Sequence, residues 1–342
     1  MPGKKRKKTK RVRDRRWDAA SDTFSGEPVR AEGAGEDEAE DQLQTAIDAS
    51  EANGLVVSPY GNLAYVWVEG AEHLCRVWDS IGRAVSLAPG DEVAVRFEHG
   101  EGHVIGVARR RTRLSRLAGA KGQRYEQVVA ANVDRLIIAT AAARPRFKPG
   151  IVDRYLVCAQ AGGVEPVLCV NKMDLVDEPP AELEAYQETG FPVILTSCED
   201  GRGLDEFRQA LEGQFSVLAG ASGVGKSSLL NALEPSLDIE TREVSHFNEK
   251  GRHTTTTARL YTFNNIRIID TPGIRKLAIS GVSPEELAFY FPEIEPHARA
   301  CKFRDCTHTC EPGCAVLEAV ENGDIPQQRY GSYLRIRESM EG

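Results

Sequence analysis

The sequence lacks any apolar run of the ~20 residues that a membrane-spanning helix requires, and no apolar segment follows its charged N-terminus. A secretory signal needs such a segment directly after its positive charges. We therefore expect neither a membrane span nor a signal peptide, and we expect the protein to be cytoplasmic. With 342 residues the chain can hold two or three domains.

The net charge of -8 conceals two oppositely charged blocks. Lysines and arginines crowd the residues from Lys4 to Arg16, and an acidic stretch follows from Glu32 to Asp41. Neither block can bury enough apolar surface to order itself, so residues 1–50 are predicted to be a disordered tail. The basic block is either a solvated arm or an arm that binds RNA phosphates.

Short predicted strands follow this tail. They are rich in valine and aromatic residues, and turn residues separate them. The predicted strands are Gly54–Ser58, Leu63–Glu69, His73–Trp78, Glu92–Glu98 and Gly102–Arg109. Five short strands in about sixty residues fit an OB-fold β-barrel over residues 51–116, which either binds RNA or serves as a structural spacer. The arginines from Arg109 to Arg116 favour RNA.

From Val128 onward, predicted strands and helices alternate. The strands are Val133–Thr140, Pro166–Val170, Pro192–Thr196, Phe215–Ala219, Arg259–Phe263 and Ile266–Ile269; the helices are Ile151–Ala161, Ala181–Thr189, Leu204–Leu211, a segment from Ser228, and Pro284–Tyr290. Such alternation predicts an α/β domain over residues 128–292, with a mostly parallel sheet and helices on both faces.

A glycine-rich loop joins one of these strands to a helix. The segment Phe215–Leu230 reads FSVLAGASGVGKSSLL, which is the order strand, loop, helix of a P-loop. Backbone amides of such a loop surround phosphate oxygens, Lys226 adds a positive charge, and the Ser227 hydroxyl is the expected Mg²⁺ ligand. The alternative, a plain glycine-rich turn, does not account for the flanking strand and helix. The expected phosphate-binding residues are Gly220, Ala221, Ser222, Gly223, Val224, Gly225, Lys226, Ser227 and Ser228.

A guanine-recognition motif follows the strand Pro166–Val170. It consists of Asn171, Lys172, Met173 and Asp174. The Asp174 carboxylate can accept hydrogen bonds from the N1–H and 2-amino groups of guanine, whereas adenine offers an acceptor at that edge; a polar site of this kind can discriminate by roughly 10⁴. Ser197, after the next strand, would belong to a second base-contacting loop.

The segment Asp270–Gly273, DTPG, follows the strand Ile266–Ile269. Asp270 is expected to hold the Mg²⁺ shell, and the Gly273 amide to sense the γ-phosphate of GTP. The threonines of the preceding segment GRHTTTT offer a further magnesium ligand, for which we favour Thr255 or Thr256.

These motifs occur in an altered order, because ordinary GTPases place DxxG before NKxD. The chain resembles the circularly permuted GTPases of ribosome assembly, the small-ribosomal-subunit-dependent GTPase A family. GASGVGKSS, NKMD, KGRHTTT, DTPGIR and CKFRDCTH with EPGC carry the resemblance, which spans about Gly54 to the C-terminus. It implies an OB-fold, a permuted GTPase domain, a zinc-binding helical domain, and GTP hydrolysis stimulated by the small ribosomal subunit during its late maturation.

Two catalytic devices of other GTPases are missing. Ile274 occupies the position where Ras-like enzymes carry a water-orienting glutamine, and Gly223 occupies the place of a potassium-recruiting asparagine. We therefore expect slow hydrolysis by the free protein. We favour His253 as the catalytic group that completes the site, either by polarising water directly or by being placed by the ribosome; a mobile surface histidine is the alternative.

Four of the eight cysteines crowd into one short segment, which in a reducing compartment indicates a metal rather than disulfides. Cys301, Cys306, His308 and Cys314 have the spacing C-x₄-C-x-H-x₅-C of a closed structural zinc site. Cys310 could replace one of these ligands. The predicted zinc-binding domain covers residues 293–342.

The last predicted helix, Asp324–Glu341, carries Arg329, Arg335 and Arg337, which either touch rRNA phosphates or form a solvated face. Taken together, the motifs predict a GTP hydrolase, and the resemblance implies that it binds the small ribosomal subunit. Nothing in the sequence indicates self-association, so we expect a monomer. The alternative function is a GTP-binding regulatory module for RNA or protein with negligible hydrolysis.

Overall fold

A computed structural model describes residues 46–118, 125–239, 259–270, 277, 279 and 281–341. All of these residues lie in one compact unit, Gly35–Gly342. Among them, no helix combines the length and apolar character needed to cross a membrane.

The first strands close into a barrel. They are β1 (Ala46–Ile47), β2 (Gly54–Tyr60), β3 (Leu63–Val68), β4 (Ala71–Val77), β5 (Glu92–Glu98) and β6 (Glu101–Ala108), with helix α1 (Asp79–Ala84) between β4 and β5. The order β1-β6-β4-β3-β2-β5, together with the pairing of β5 with β6, closes a ring of five strands. Alternate residues such as Val66 and Val95 point into its core. The predicted OB-fold barrel is confirmed.

Strand β1 lies in the range that the sequence assigns to the disordered tail. Ala46 and Ile47 pair in parallel with Val107 and Ala108 of β6. Two residues are too short for an alternating pattern to reveal.

A two-stranded hairpin follows the barrel, where the sequence predicted no strands. It comprises β7 (Arg113–Ala118) and β8 (Tyr125–Ala131). Its arginines obscured it, because they resemble a solvated basic segment. In the structure Arg116 Nε donates to Gln127 Oε1 at 2.9 Å, and Arg113 lies 3.8 Å from the Glu126 carboxylate. These two arginines therefore contact neighbours within the hairpin.

The central sheet has the order β11-β10-β9-β12-β14-β13. All neighbours are parallel except the edge strand β13. Helix α2 (Pro149–Ala161) packs on one face and helices α4 (Leu204–Leu211) and α5 (Lys226–Leu233) pack on the other. The short helix α3 is Glu184–Glu188. The strands are β9 (Arg135–Ala141), β10 (Glu165–Asn171), β11 (Val193–Leu195), β12 (Phe215–Gly220), β13 (Arg259–Phe263) and β14 (Ile266–Asp270).

The C-terminal residues form short helices around their own apolar core. These are a 3₁₀ turn (Leu287–Tyr290) and helices α6 (Glu295–Ala298), α7 (Ala315–Asn322) and α8 (Gln327–Glu341). The predicted helix Pro284–Tyr290 is thus confined to its last four residues. Tyr333 of α8 and Phe291 pack edge to face, with ring centroids 5.7 Å apart, and Val157 of α2 joins the same core.

Candidate functional site

The predicted nucleotide-binding loops converge at the point in the sheet where the strand order reverses. The chain passes from β9 to β10 to β11, and then returns with β12 on the other side of β9. In open α/β sheets, ligands bind at the carboxyl ends of the strands at such a switch point. The NKMD loop follows β10, the glycine-rich loop follows β12, and Asp270 ends β14 in register with Leu218 of β12.

The conformation of the glycine-rich loop requires its glycines. Gly220 has φ +155°, and a Cβ there would lie 2.1 Å from the Ala139 carbonyl oxygen. Gly225 has φ +97°, and a Cβ there would lie 2.3 Å from Asn171 Nδ2. Side chains at these positions would push the loop away from its neighbours.

Lys226 begins helix α5, and Ser227 and Ser228 follow it in the first turn. The Nζ atom of Lys226 donates to the carbonyl oxygens of Gly220 and Ala221, each at 3.0 Å. The ammonium group therefore lies over the loop that would surround the phosphates. This is the arrangement that a P-loop provides for phosphate binding.

Asn171 joins the NKMD loop to the glycine-rich loop. It is 2 % exposed, and its Nδ2 donates to the Val224 carbonyl oxygen at 3.0 Å. Its Oδ1 accepts from Thr196 Oγ1 at 3.3 Å. Lys172 has a left-handed backbone, φ 64°, and its Nζ donates to the carbonyl oxygens of Gly223 and Arg144. Direct hydrogen bonds between residues 53 and 51 positions apart in sequence thus fix the two loops against each other.

Ser197 holds the carboxylate predicted to read guanine. Its Oγ donates to Asp174 Oδ1 at 2.8 Å. The backbone amides of Glu199 and Asp200 donate to the same Oγ at 3.2 and 3.3 Å. Because a serine hydroxyl has one proton and two lone pairs, these amides direct its proton to Asp174. Met173 is buried beneath, with its amide 3.1 Å from the Thr196 carbonyl oxygen.

The predicted magnesium and catalytic residues are only partly described. Ser227 lies in the first turn of α5, and Asp270 is 8 % exposed at the end of β14. His253, Thr255, Thr256 and Gly273 lie outside the described residues.

A second cluster brings together the four predicted metal ligands. One ligand atom from each of Cys301, Cys306, His308 and Cys314 lies within 4.8 Å of all the others. Cys310 is exposed and is not in this group. Burial raises the pKa of the Cys306 thiol to about 12, so the positive charge of a metal is needed to stabilise its thiolate. The set fits a structural metal ion, for which it supplies three soft sulfur ligands and an imidazole.

Helix α8 holds the backbone of the metal-ligand loop. Tyr330 Oη donates to the His308 carbonyl oxygen at 2.8 Å, and Tyr333 Oη donates to the Thr307 carbonyl oxygen at 2.9 Å. The Glu311 carboxylate accepts from the amides of Thr307 and Thr309, at 2.7 and 3.0 Å. The loop is therefore ordered by contacts beyond its four ligands.

Two of the three arginines assigned to rRNA or to a solvated face are buried. Arg329 is 1 % exposed; it contacts Asp153 of α2, and its Nε donates to Glu293 Oε1 at 2.6 Å. Its guanidinium also lies over an aromatic ring, 4.9 Å from the centroid of Phe291. Arg337 is 9 % exposed and donates to the Pro284 carbonyl oxygen at 2.8 Å. Both alternatives are wrong for these two residues, because the tertiary fold brings acceptors to them; Arg335 is exposed.

Comparison with known proteins places this architecture in one family. Residues 107–280 match the family model described as RsgA GTPase. The chain is 42 % identical over 299 residues to the small ribosomal subunit biogenesis GTPase RsgA of Gemmatimonas aurantiaca, covering 84 % of this chain and 97 % of that relative. The corresponding protein of Halalkalibacterium halodurans is 39 % identical over 294 residues, covering 84 % of this chain and 96 % of that relative.

Solved structures give the same result. The crystal structure of YjeQ from Thermotoga maritima matches with a TM-score of 0.67 and 35 % identity, over 85 % of this chain and 99 % of that one. That of YloQ, titled a circularly permuted GTPase, matches with a TM-score of 0.64 and 29 % identity, over 84 % and 94 %. The chain therefore belongs to the RsgA GTPase family.

Proposed function

We propose that this protein is a GTPase that binds the small ribosomal subunit and acts in its late maturation, as a monomer in the cytoplasm. Relatives covering most of the chain carry the name small ribosomal subunit biogenesis GTPase. The alternative, a regulatory module with negligible hydrolysis, has no comparable support.

The observation that carries this proposal is the hydrogen bond from Asn171 Nδ2 to the Val224 carbonyl oxygen. It fixes the base-reading loop against the phosphate loop, so that one nucleotide can occupy both. Ser197 then presents the Asp174 carboxylate, which matches the two donors on the edge of guanine and mismatches adenine.

The residues predicted to contact the phosphates, Mg²⁺ and the attacking water each have a proposed role in hydrolysis. Lys226 would move from the loop carbonyls to the outer phosphates, and Ser227, Asp270 and Thr255 or Thr256 would hold Mg²⁺. When bound, Mg²⁺ supplies positive charge that offsets the charge of the phosphates. The Gly273 amide would contact the γ-phosphate, and His253 would orient the attacking water once the ribosome positions it.

We assign zinc to the C-terminal metal site. Three thiolates and one imidazole are a ligand set that tetrahedral Zn²⁺ prefers, and four protein ligands leave no open position for catalysis. The ion would therefore be structural. We propose the division into a tail (1–50), of which Ala46 and Ile47 pair with the barrel, a barrel domain (51–116), a GTPase domain (128–292) and a zinc-binding domain (293–342). The barrel and the last domain would contact rRNA.

The test is GTP turnover with and without purified small ribosomal subunits. We expect slow turnover alone and strong stimulation by subunits, and we expect His253→Ala to bind GTP normally while losing that stimulation. Nucleotide binding without any stimulation would contradict the proposed function and favour the regulatory module. Unchanged stimulation of His253→Ala would remove only the role of this histidine.

A further inference from the structure

A cleft separate from the nucleotide loops opens between the segment after β9 and helix α8. It has a volume of about 420 Å³. Its charged lining residues are Arg146, Lys148, Arg335 and Glu182, and Gln327 and Gln328 line the same cleft. Three cations therefore face one carboxylate, with which Arg146 forms an ion pair at 3.6 Å.

The three cations are accessible. The Arg146 side chain is 87 % exposed even with its Glu182 partner, and Lys148 and Arg335 are both exposed. A residue of the same helix orients the Arg335 side chain, since Arg335 Nη2 donates to Ser332 Oγ at 2.7 Å. Arginine binds phosphate oxygens in a fork, so exposed guanidinium groups around one cleft suit a phosphate ligand.

Buried contacts hold the two walls of the cleft in place. Phe147 is 3 % exposed and packs edge to face on Tyr186, so it anchors the segment that carries Arg146 and Lys148. On the opposite wall, Gln328 Nε2 donates to the Glu182 carbonyl oxygen at 3.3 Å, and the buried Arg329 binds α8 to Asp153 of α2. A preorganised site loses less conformational freedom when a ligand binds.

We infer that this cleft binds the phosphodiester backbone of small-subunit rRNA, an inference that rests on the proposed function. An open, positively charged cleft fits a polyanion, and phosphate contacts dominate protein binding to nucleic acid. The cleft also adjoins the base-reading loop: Lys172 Nζ binds the Arg144 carbonyl oxygen, two residues before Arg146. RNA bound here would therefore contact the GTPase body and the C-terminal helices together, next to the guanine site.

The test measures binding to purified small subunits over a range of salt concentrations. Arg146→Ala/Arg335→Ala removes two charges from the cleft. Arg202→Ala/Arg299→Ala is the matched control, because it removes two exposed, ion-paired arginines that do not line the cleft. Arg146→Lys/Arg335→Lys restores the charge without the guanidinium forks.

We expect the cleft variant to bind subunits about tenfold more weakly at physiological salt. The slope of log binding constant against log salt concentration should be shallower by about 1 to 2. The control should retain the wild-type slope, the lysine variant should recover most of it, and GTP affinity should stay unchanged in all three.

Wild-type affinity and slope in the cleft variant would overturn the inference, as would an equal loss in the control. Loss of binding to intact subunits, with full binding to deproteinised small-subunit rRNA, would assign the cleft to a ribosomal protein and also overturn it. Failure of the wild type to bind subunits would overturn the proposed function as well; the other outcomes leave that function intact.

Discussion

At the scale of single residues, the proposed guanine recognition depends on how Asp174 is oriented. Ser197 donates to one carboxylate oxygen, and two backbone amides fix the direction of that hydroxyl proton. A carboxylate already held in place loses less rotamer freedom when it accepts the two donors of guanine. In the proposed site, Ser197 therefore acts on the base through Asp174.

Removing this hydroxyl should weaken GTP binding. In Ser197→Ala we expect a loss of roughly 1 kcal/mol, or about fivefold in affinity, because one charge-assisted hydrogen bond disappears and two amides lose an acceptor. Titration with a fluorescent GTP analogue measures it. Ser236→Ala is the control, because that hydroxyl bonds the exposed side chain of Glu234, away from the predicted site. Equal affinities for all three proteins would show that Ser197 does not orient the site.

The sequence alone located residues whose role depends on local order along the chain. The glycine-rich loop, NKMD and the four metal ligands follow fixed spacings, and the structure brings each set together. Arg329 was misassigned because its partners Asp153 and Glu293 are distant in sequence, 176 and 36 residues away. No helical pattern distinguishes a buried arginine from a solvated one when its acceptors come from other elements.

At the scale of elements, the contact between α8 and α2 centres on a buried ionic cluster. Burial raises the pKa of the Asp153 carboxyl, and the charge of Arg329 opposes that shift. Removing one partner from a buried ion pair leaves an uncompensated charge, which costs more than the pair contributed. The cluster therefore makes the position of α8 sensitive to a single substitution.

Arg329→Met should lower the free energy of unfolding by about 3 to 5 kcal/mol at neutral pH. Without the arginine, the pKa of Asp153 in the folded protein rises further above its value in the unfolded chain. As the pH falls, the folded protein therefore binds a proton before the unfolded chain does, and this proton neutralises the buried carboxylate. The destabilisation should accordingly shrink toward pH 5. Urea unfolding at pH 7.5 and pH 5 measures both effects.

The matched control is Arg335→Met on the same helix, where the exposed side chain should change stability by about 0.5 kcal/mol or less. A loss in Arg329→Met no greater than in this control, or one that grows on acidification, would contradict the assignment.

We expect the bound metal to stabilise a second group of elements. The metal-ligand loop before α7 accepts hydrogen bonds from Tyr330 and Tyr333 of α8. A strong chelator should release one zinc per chain and speed amide exchange in α7 and α8, while β9 and β12 remain protected. Cys314→Ser should purify with little zinc, and Cys310→Ser should keep it, since Cys310 lies outside the cluster. Zinc absent from the wild type, or lost from Cys310→Ser, would contradict this ligand set.

Elements differ in how well the sequence predicts them. Glu92–Glu98 and Leu204–Leu211 have the predicted bounds, because turn residues mark both ends. Arg259–Phe263 also has the predicted bounds, and Asn264 and Asn265 mark its end. The hairpin β7–β8 was missed. Its buried residues, such as Leu114, pack against the central core through tertiary contacts, and its arginines dominate the local pattern.

At the scale of the whole molecule, the reversed motif order leaves the site intact. The guanine loop follows β10 and the phosphate loop follows β12, and β9 lies between those strands in the sheet. Permutation changes which strands the chain connects, whereas the site depends only on which strand ends are neighbours. It also places the C-terminal helices after β14, the strand that ends at Asp270.

The central claim is that two loops in reversed order bind a single guanine nucleotide, and competitive binding of GTP, ATP and XTP tests it most directly. The wild type should prefer GTP over ATP by roughly 10⁴-fold or more. Asp174→Asn should lose affinity for GTP and gain it for XTP, whose 2-carbonyl accepts from the new amide. Asp177→Asn, an exposed neighbour, should behave as wild type. Equal affinity of the wild type for GTP and ATP would contradict the account.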